Sequence, residues 1–185
     1  MRVFGIDCGS ETTGFGVVDC SPEDPSDLRL LAYGGISPAK KMTLPERLAF
    51  VFEELTAQIA AHQPDALAVE EVFYSVNAKS ALKLGHVRGV ALLVAAKAGL
   101  AVAEYAPLTI KSTVTGYGLA QKEQVQFMVA RLLHMDAVPE PADAADALAI
   151  AICHIHHAQT LSAQQGQSFD QGLKKVPSTA QKKKF

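Results

Sequence analysis

The pattern of apolar and polar positions along the chain alternates between short apolar runs, typical of strands, and apolar residues three and four apart, typical of helices. Short apolar runs bounded by turn residues predict five strands, at residues 3–6, 14–20, 28–36, 66–70 and 101–105. Only turns separate the first three strands, which predicts an antiparallel meander. A helical stretch separates the third strand from the fourth. The fourth can therefore lie parallel to the first through a right-handed crossover.

Apolar residues spaced three and four apart predict helices in the segments between and after these strands. The first helix opens with a capping box, in which Thr43 is the N-cap and Glu46 the N3 residue. It should end near Gln63, because the residue before Pro64 avoids helical geometry. The pattern predicts four more helices, at residues 77–97, 109–114, 122–133 and 143–157.

The composition changes at about Ala158, where Gln, Ser and Gly become common and two lysine clusters follow. Such a segment is too polar to build a core. We therefore expect one folded domain at residues 1–157 and a flexible basic tail at residues 158–185. The tail is either inert or an electrostatic contact for an anionic partner.

Composition and charge narrow the class of protein. The 185 residues are 49% hydrophobic and 19% charged, which is typical of one globular domain. The net charge of −2 neither indicates nor excludes nucleic-acid binding, because local basic patches matter more than the total. The cysteines Cys8, Cys20 and Cys153 lack metal or redox spacing, which favours a reducing compartment without disulfides. No secretory signal or apolar run of ~20 residues is visible, so we expect a soluble cytoplasmic protein that does not span a membrane.

Four acidic residues suggest the chemistry. Asp7 and Glu70 end two apolar strands, and Asp143 and Asp146 lie one turn apart at the start of the last helix. Asp7 could simply stabilise a turn, and the helical pair could simply satisfy a helix N-terminus. Four carboxylates brought together, however, would repel one another unless hard cations such as Mg²⁺ neutralise them. Two such ions suit phosphodiester hydrolysis, one activating water and the other stabilising the leaving oxygen.

Four motifs together resemble the bacterial RuvC family of Holliday-junction resolvases over residues 1 to about 157. They are Gly5-Ile-Asp7 with Gly9-Ser and Thr13-Gly14-Phe-Gly16, Glu70-Glu-Val-Phe73, Ala81-Leu-Lys-Leu-Gly85 with Arg88-Gly89, and the run from Ala142 to Ile150. The resemblance implies a ribonuclease H-like α/β fold, a five-stranded mixed sheet flanked by helices. It implies a homodimer that nicks two strands of like polarity in a four-way DNA junction, leaving ligatable 5′-phosphate and 3′-hydroxyl ends. It also implies two Mg²⁺ ions per subunit, with Mn²⁺ as a substitute, and RuvA and RuvB branch-migration partners.

The resemblance also implies roles for individual residues. Its metal-binding carboxylates fall on Asp7, Glu70, Asp143 and Asp146. Lys111 and Lys122 match basic residues near the scissile phosphate, and Phe73 matches an aromatic that contacts junction bases. Two features depart from or vary within the family: Cys8 stands where Pro is common, and Asp143 stands where some members carry His.

Other basic side chains allow two interpretations. Lys79, Lys83 and Arg88 lie on or near one face of the helix at 77–97, which is either a solvated face or a track for the DNA backbone. A histidine cluster near the end of the last helix could hold a metal, although a helix C-terminus favours His in any case. That cluster consists of His154, His156 and His157.

The resemblance also implies that the helix at 77–97 is a dimer helix, because it falls on the one that the family uses. Gly85 and Gly89 lie one turn apart and would let two backbones approach closely, while nearby leucines and valine add apolar surface. Those apolar residues are Leu82, Val90, Leu92 and Leu93. The alternative is that both glycines pack against the chain's own sheet.

Three other functions fit parts of the sequence. An ATP-dependent phosphotransferase of the actin and sugar-kinase type has a similar first hairpin, but it needs two such domains. A nuclease of the same fold could act on structural RNA, although Phe73 and the Asp143–Asp146 helix argue against it. A junction-binding module without activity is the third, and the intact set of four acids disfavours it.

Overall fold

The computed structural model describes residues 1–21, 23, 24, 26–71 and 78–173, except for the side chains of residues 78–80 and 165–173. The sheet contains five strands, β1 Arg2–Asp7, β2 Thr13–Cys20, β3 Leu28–Ile36, β4 Ala66–Glu70 and β5 Ala101–Tyr105. Their spatial order is β3-β2-β1-β4-β5. The first three strands pair antiparallel, whereas β1, β4 and β5 pair parallel. The predicted meander and the parallel fourth strand are both confirmed.

The described residues also form five helices, which are, in chain order, α1 Leu44–His62, α2 Ala78–Lys97, α3 Pro107–Thr115, α4 Lys122–Leu132 and α5 Ala142–Leu173. The predicted capping box at Thr43 and Glu46 is present at the start of α1. The helix ends at His62, and Gln63 then adopts a left-handed conformation before Pro64. Each of these limits follows from local chain chemistry, which is why the sequence predicts them well.

The helices form a layer on each face of the sheet. On one face α1 and α2 bury side chains such as Phe4, Ile6 and Val69. On the other face α5, α3 and α4 bury Val3, Val18 and Ala68. Alternate residues of each strand supply the two cores, as the pleat requires.

Three glycines let α5 lie directly on the sheet. Gly5 and Gly16 are cross-strand partners, and Gly14 pairs with Asp7. A Cβ added to Gly5 would overlap the carbonyl oxygen of Ala147, and one on Gly14 would overlap that of Asp143. Because only hydrogen fits there, these glycines set the height at which α5 crosses β1 and β2.

The last helix is longer than the sequence analysis predicted. It was expected to end at residue 157, but α5 continues to Leu173. The Gln159 side-chain amide donates a hydrogen bond to the Cys20 sulfur at 3.2 Å, so the first turn beyond His157 contacts the sheet. Extending an existing helix costs less than starting one, and Ala, Gln and Leu sustain it although the composition is polar. The predicted flexibility of the tail stays a prediction.

No helix in the described ranges is long and apolar enough to cross a membrane. Cys8 and Cys153 are present as thiols, and the Cys20 sulfur accepts the hydrogen bond from Gln159.

Candidate active site

Two neighbouring parallel strands deliver the first two acids to the same end of the sheet. Asp7 ends β1 and Glu70 ends β4, and the register pairs Ile6 with Val69 immediately before them. Ile6 and Val69 are buried against α1 and α2. Because side chains alternate along a strand, Asp7 and Glu70 point to the opposite face, where α5 lies.

The start of α5 brings the other two acids to this place. Its backbone touches the sheet at Gly14, the cross-strand partner of Asp7, through the carbonyl oxygen of Asp143. Asp143 and Asp146 lie one turn apart at the start of this helix. A glycine-lined sheet lets the helix terminus approach the strand end, so the charges of Asp143 and Asp146 act on Asp7.

A cleft of about 180 Å³ lies between these elements. Its polar lining includes three of the four acids and both lysines assigned to the scissile phosphate: Asp7, Glu70, Asp146, Lys111 and Lys122. Asp143 is not part of this lining, but its charge still acts on Asp7. Apolar walls come from α3, α4 and α5, and they lower the local dielectric and strengthen the charge interactions.

The carboxylates destabilise one another's ionised forms. The pKa of Asp7 is raised to about 7. Burial is the largest cause, and the negative charges of Asp146, Glu70 and Asp143 are the next. Burial also raises the pKa of Glu70, with Asp146 as the next cause. Such a cluster attracts cations, because positive charge relieves both the repulsion and the desolvation.

Lysines already provide part of that positive charge. Lys122 begins α4, and its Nζ lies 2.6 Å from Oδ2 of Asp146. That hydrogen bond raises the pKa of the Lys122 ammonium. The charge of Lys111, on α3, acts against the rise in the Glu70 pKa. The site thus combines acids and bases that lie far apart in the sequence.

The carboxylate oxygens of this site suit hard divalent cations, but protein side chains alone would not complete the coordination shell of an ion. Within the described part of the chain, no three or more His, Cys, Asp or Glu side chains are grouped so that they could hold one ion. Mg²⁺ commonly takes only one or two carboxylates and completes its shell with water and substrate phosphate oxygens. Carboxylate oxygens around a half-buried Asp7, whose pKa is raised by its surroundings, suit that mode of binding.

The other predicted contact residues lie elsewhere. Lys83 lines a second cleft of about 680 Å³, between the β1–β2 turn, the start of α1 and α2. The guanidinium of Arg88 is directed inward, to the Glu70 carbonyl oxygen and the Glu104 carboxylate. Phe73 and the side chain of Lys79 lie outside the described residues.

The second cleft also contains basic residues that the sequence analysis missed. Lys40 and Arg47 line it together with Lys83. Arg47 donates a hydrogen bond to the Ser10 carbonyl oxygen at 3.2 Å, which ties α1 to the turn after Asp7. No motif marked these residues, and only the packing of the turn against α1 brings them together.

The histidine cluster has a structural explanation. The Tyr105 hydroxyl and His154 Nδ1 are 2.8 Å apart, and the Tyr105 ring packs against His157. Burial lowers the pKa of His154 and His156, which favours neutral imidazoles there. Since the described residues contain no three-member metal group, the metal interpretation receives no support from this geometry.

Taken together, the sheet order, the acids at the ends of β1 and β4 and the acidic helix terminus define a ribonuclease H-like protein with a carboxylate site. The family model described as Crossover junction endodeoxyribonuclease RuvC matches residues 3–154. The chain belongs to this RuvC family.

Individual relatives agree with this assignment. The chain is 78% identical over 169 residues to the Crossover junction endodeoxyribonuclease RuvC of Acidobacterium capsulatum, covering 89% of this chain and 99% of that protein. It is 58% identical to the protein of that name from Koribacter versatilis, covering 88% and 96%.

Solved structures agree as well. Thermus thermophilus RuvC in complex with a Holliday junction substrate matches with a TM-score of 0.80 and 34% identity, over 86% of this chain and 96% of that one. The yeast mitochondrial Holliday junction resolvase Ydc2 matches with a TM-score of 0.59 at 10% identity, covering 88% and 85%, which shows the shared fold. The fold and family expected from the four motifs are confirmed.

Proposed function

We propose that this chain resolves four-way DNA junctions in recombination and repair by hydrolysing one phosphodiester on each of two strands. The observation that carries the proposal is the convergence of three acids and two lysines on one cleft, in a chain of the RuvC family. The complex of Thermus RuvC with a Holliday junction supports this choice of substrate over structural RNA.

The cofactor in this proposal is Mg²⁺, two ions per subunit, with Mn²⁺ as a substitute. Asp7, Glu70, Asp143 and Asp146 would hold them. When bound, such ions activate a water molecule and stabilise the leaving oxygen of an in-line displacement. The raised pKa values of Asp7 and Glu70 support the assignment, because they show how strongly this site favours added positive charge.

The chain's own side chains would bind and orient the DNA strand. Lys111 and Lys122 line the cleft beside the acids, where their ammonium groups can neutralise a phosphate oxygen. Lys122 neutralises Asp146 as well, so it can hold that carboxylate in place while the cleft is empty of DNA. Asp7 must lose its proton to serve as a ligand, and its pKa near 7 puts that loss within the physiological range.

Assembly into a C₂ homodimer through α2 completes the proposal, because two equivalent phosphates in a junction need two sites. Among the described residues, a Cβ on Gly85 or Gly89 would meet nothing within 4 Å, which supports an outward-facing surface over packing against the chain's own sheet. On the same outward-facing helix Leu82 is 65% exposed and Leu93 53% exposed. Exposed leucines beside glycines with open space would supply the apolar, closely approachable surface that an isologous contact requires.

Further roles follow from family membership and stay proposals. Phe73 would contact junction bases, Lys79 and Lys83 would follow the DNA backbone, and RuvA and RuvB would be the branch-migration partners. We place the reaction in the bacterial cytoplasm, where the DNA is.

A substrate panel tests the activity. The protein would be incubated with a mobile four-way junction, linear duplex and RNA hairpins, with Mg²⁺ and with excess chelator. We expect paired nicks in the junction alone, and only with the metal. Asp7→Asn should abolish nicking and preserve junction binding, whereas the same change at the exposed Asp136 should alter neither. Full activity in chelator, or in Asp7→Asn, would refute the carboxylate mechanism.

Assembly is tested by placing a bulky residue in the open space on α2. Gly89→Leu should fold, since no described residue lies within 4 Å of an added Cβ. It should sediment as a monomer and nick junctions on one strand at a time. Glu53→Leu adds the same side chain to the exposed surface of α1 and should remain a dimer. A dimeric Gly89→Leu protein that makes paired nicks would exclude α2 as the contact.

A further inference from the structure

We propose that Arg88 is a positioning residue for Glu70, rather than a contact for the DNA backbone. The inference rests on the proposed function of the acidic cleft and goes beyond it, because it assigns a task to a side chain outside that cleft. Its starting point is a guanidinium that is only 12% exposed although it belongs to a helix with an open outer face.

Both terminal nitrogens of the Arg88 guanidinium, Nη1 and Nη2, form bonds within the subunit. Nη1 donates a hydrogen bond to the main-chain carbonyl oxygen of Glu70 at 2.6 Å. Nη2 pairs with the carboxylate of Glu104 on β5. A charged donor on a carbonyl oxygen is among the stronger hydrogen bonds that a protein forms.

The Glu70 carbonyl needs a partner because the sheet offers none. The β1–β4 register ends at Ile6 and Val69, so the next residue has no strand neighbour on the β1 side. On the β5 side the main-chain N–H of Glu71 donates to the carbonyl oxygen of Tyr105 at 2.9 Å. Arg88 therefore supplies the missing bond at the point where β4 stops pairing with β1. A carbonyl left unpaired in this partly buried position would carry a desolvation cost.

Glu104 orients the guanidinium. It pairs with Val69 in the β4–β5 register, so both side chains point to the face that α2 covers. Arg88 enters from that face, while the Glu70 side chain points to the other face, toward the cleft. The helix thus holds the backbone of Glu70 from behind while the carboxylate remains free.

Only arginine has the geometry for this contact. One planar group donates to a carbonyl oxygen on β4 and to a carboxylate on β5, whereas a lysine ammonium would act as a single point charge on a flexible stem. Arg88 also directly precedes Gly89, in the proposed dimer surface of α2. It therefore joins the helix proposed for assembly to the strand that carries a proposed metal ligand.

The experiment separates positioning from DNA binding. Arg88→Gln, Arg88→Lys and Glu104→Gln would be compared with wild type and with Lys97→Gln, which removes an exposed charge from the same helix. Junction affinity would be measured against salt concentration in chelator. Single-turnover cleavage would be measured at saturating enzyme over a Mg²⁺ series, and Mn²⁺ binding would be followed by its shift of the melting temperature without DNA.

A positioning role predicts that Arg88→Gln cleaves about 10–100-fold more slowly at saturation, since small displacements of a ligand are costly. It also predicts a higher Mn²⁺ midpoint and an unchanged salt dependence of junction affinity. Arg88→Lys should resemble Arg88→Gln, and Glu104→Gln should show a smaller change in the same direction. Lys97→Gln should match wild type.

A phosphate contact predicts the reverse pattern. The slope of log affinity against log salt would fall by roughly one unit, while cleavage at saturation and the Mn²⁺ midpoint would not change. That result would overturn the inference. If Arg88→Gln does not fold, Glu104→Gln provides the same test with the arginine retained. If wild type cleaves no junction but Arg88→Gln still weakens Mn²⁺ binding, the proposed function fails and the positioning role stands.

Discussion

Glycines have opposite surroundings at two helices, α5 and α2. α5 lies on Gly5, Gly14 and Gly16, where an added Cβ would collide with helix backbone or with Leu148. α2 carries Gly85 and Gly89, where an added Cβ would meet no described residue within 4 Å. The same residue type thus permits close approach within the subunit in one region and leaves a bare surface in the other. Glycine marks where backbones can approach, and only the surroundings show whether the partner belongs to the same chain.

The largest expected effect is at the sheet contact of α5. Gly5→Ala places a methyl group against the Ala147 carbonyl oxygen, which belongs to a buried backbone that cannot yield. We expect a loss of about 3–5 kcal/mol or failure to fold. Urea denaturation would measure it. A Gly5→Ala protein with wild-type stability would mean that α5 can rise from the sheet without cost.

The acids near the start of α5 should destabilise the folded protein when no cation is present, and the effect should be largest at Asp7 on β1. The folded-state pKa of Asp7 is about 7, above its ordinary 3.8, so its ionisation disfavours the folded state. The penalty is complete above pH 7 and disappears as the pH falls towards 4. We therefore expect Asp7→Asn to stabilise the metal-free protein by about 2 kcal/mol at pH 8, or roughly 4–8 °C.

Melting in chelator at pH 8 and pH 5 would test this sign. The advantage of Asp7→Asn should shrink at the lower pH, and Mg²⁺ at pH 8 should raise the melting temperature of wild type more than that of the variant. A variant that melts below wild type at pH 8 in chelator would contradict the repulsion among these acids.

A smaller change in stability, opposite in sign to that of Gly5→Ala, is expected on α2. Gly85→Ala should stabilise the isolated subunit by about 0.5–1 kcal/mol, because alanine favours a helix and nothing obstructs its methyl group. If α2 forms the dimer contact, the same methyl group should weaken self-association. Melting at low protein concentration and sedimentation across a concentration series would give the two readings. Unchanged association would place the contact elsewhere.

The smallest expected effect concerns the far end of α5. Removing residues 165–185 should leave the melting temperature within about 2 °C, because their composition supplies little apolar burial. Ending the chain at His157 also removes Gln159 and its contact with Cys20, so that truncation should cost more. Equal melting temperatures for the two truncations would show that this contact contributes little.

Much of the architecture could be predicted because its signals are local. The bounds of β3, β4 and β5 agree with the predicted residues, and the capping box at Thr43 starts α1 as expected. The right-handed crossover to a parallel fourth strand also predicted that Asp7 and Glu70 would emerge at the same sheet edge. These features depend on backbone preferences and periodicity over a few residues, which the chain determines wherever it folds.

The sequence by itself determined which residues form strands, where the acids stand and which family the motifs match. The tertiary structure decided what their neighbours are: Lys122 meets Asp146 from 24 residues away, and Arg88 turns inward to Glu70 although its helical position suggested a DNA contact. Such partners depend on strand register and on the height of a helix above a sheet. A long side chain can reach in several directions, and only the packed fold brings the Glu70 carbonyl oxygen to the Arg88 guanidinium.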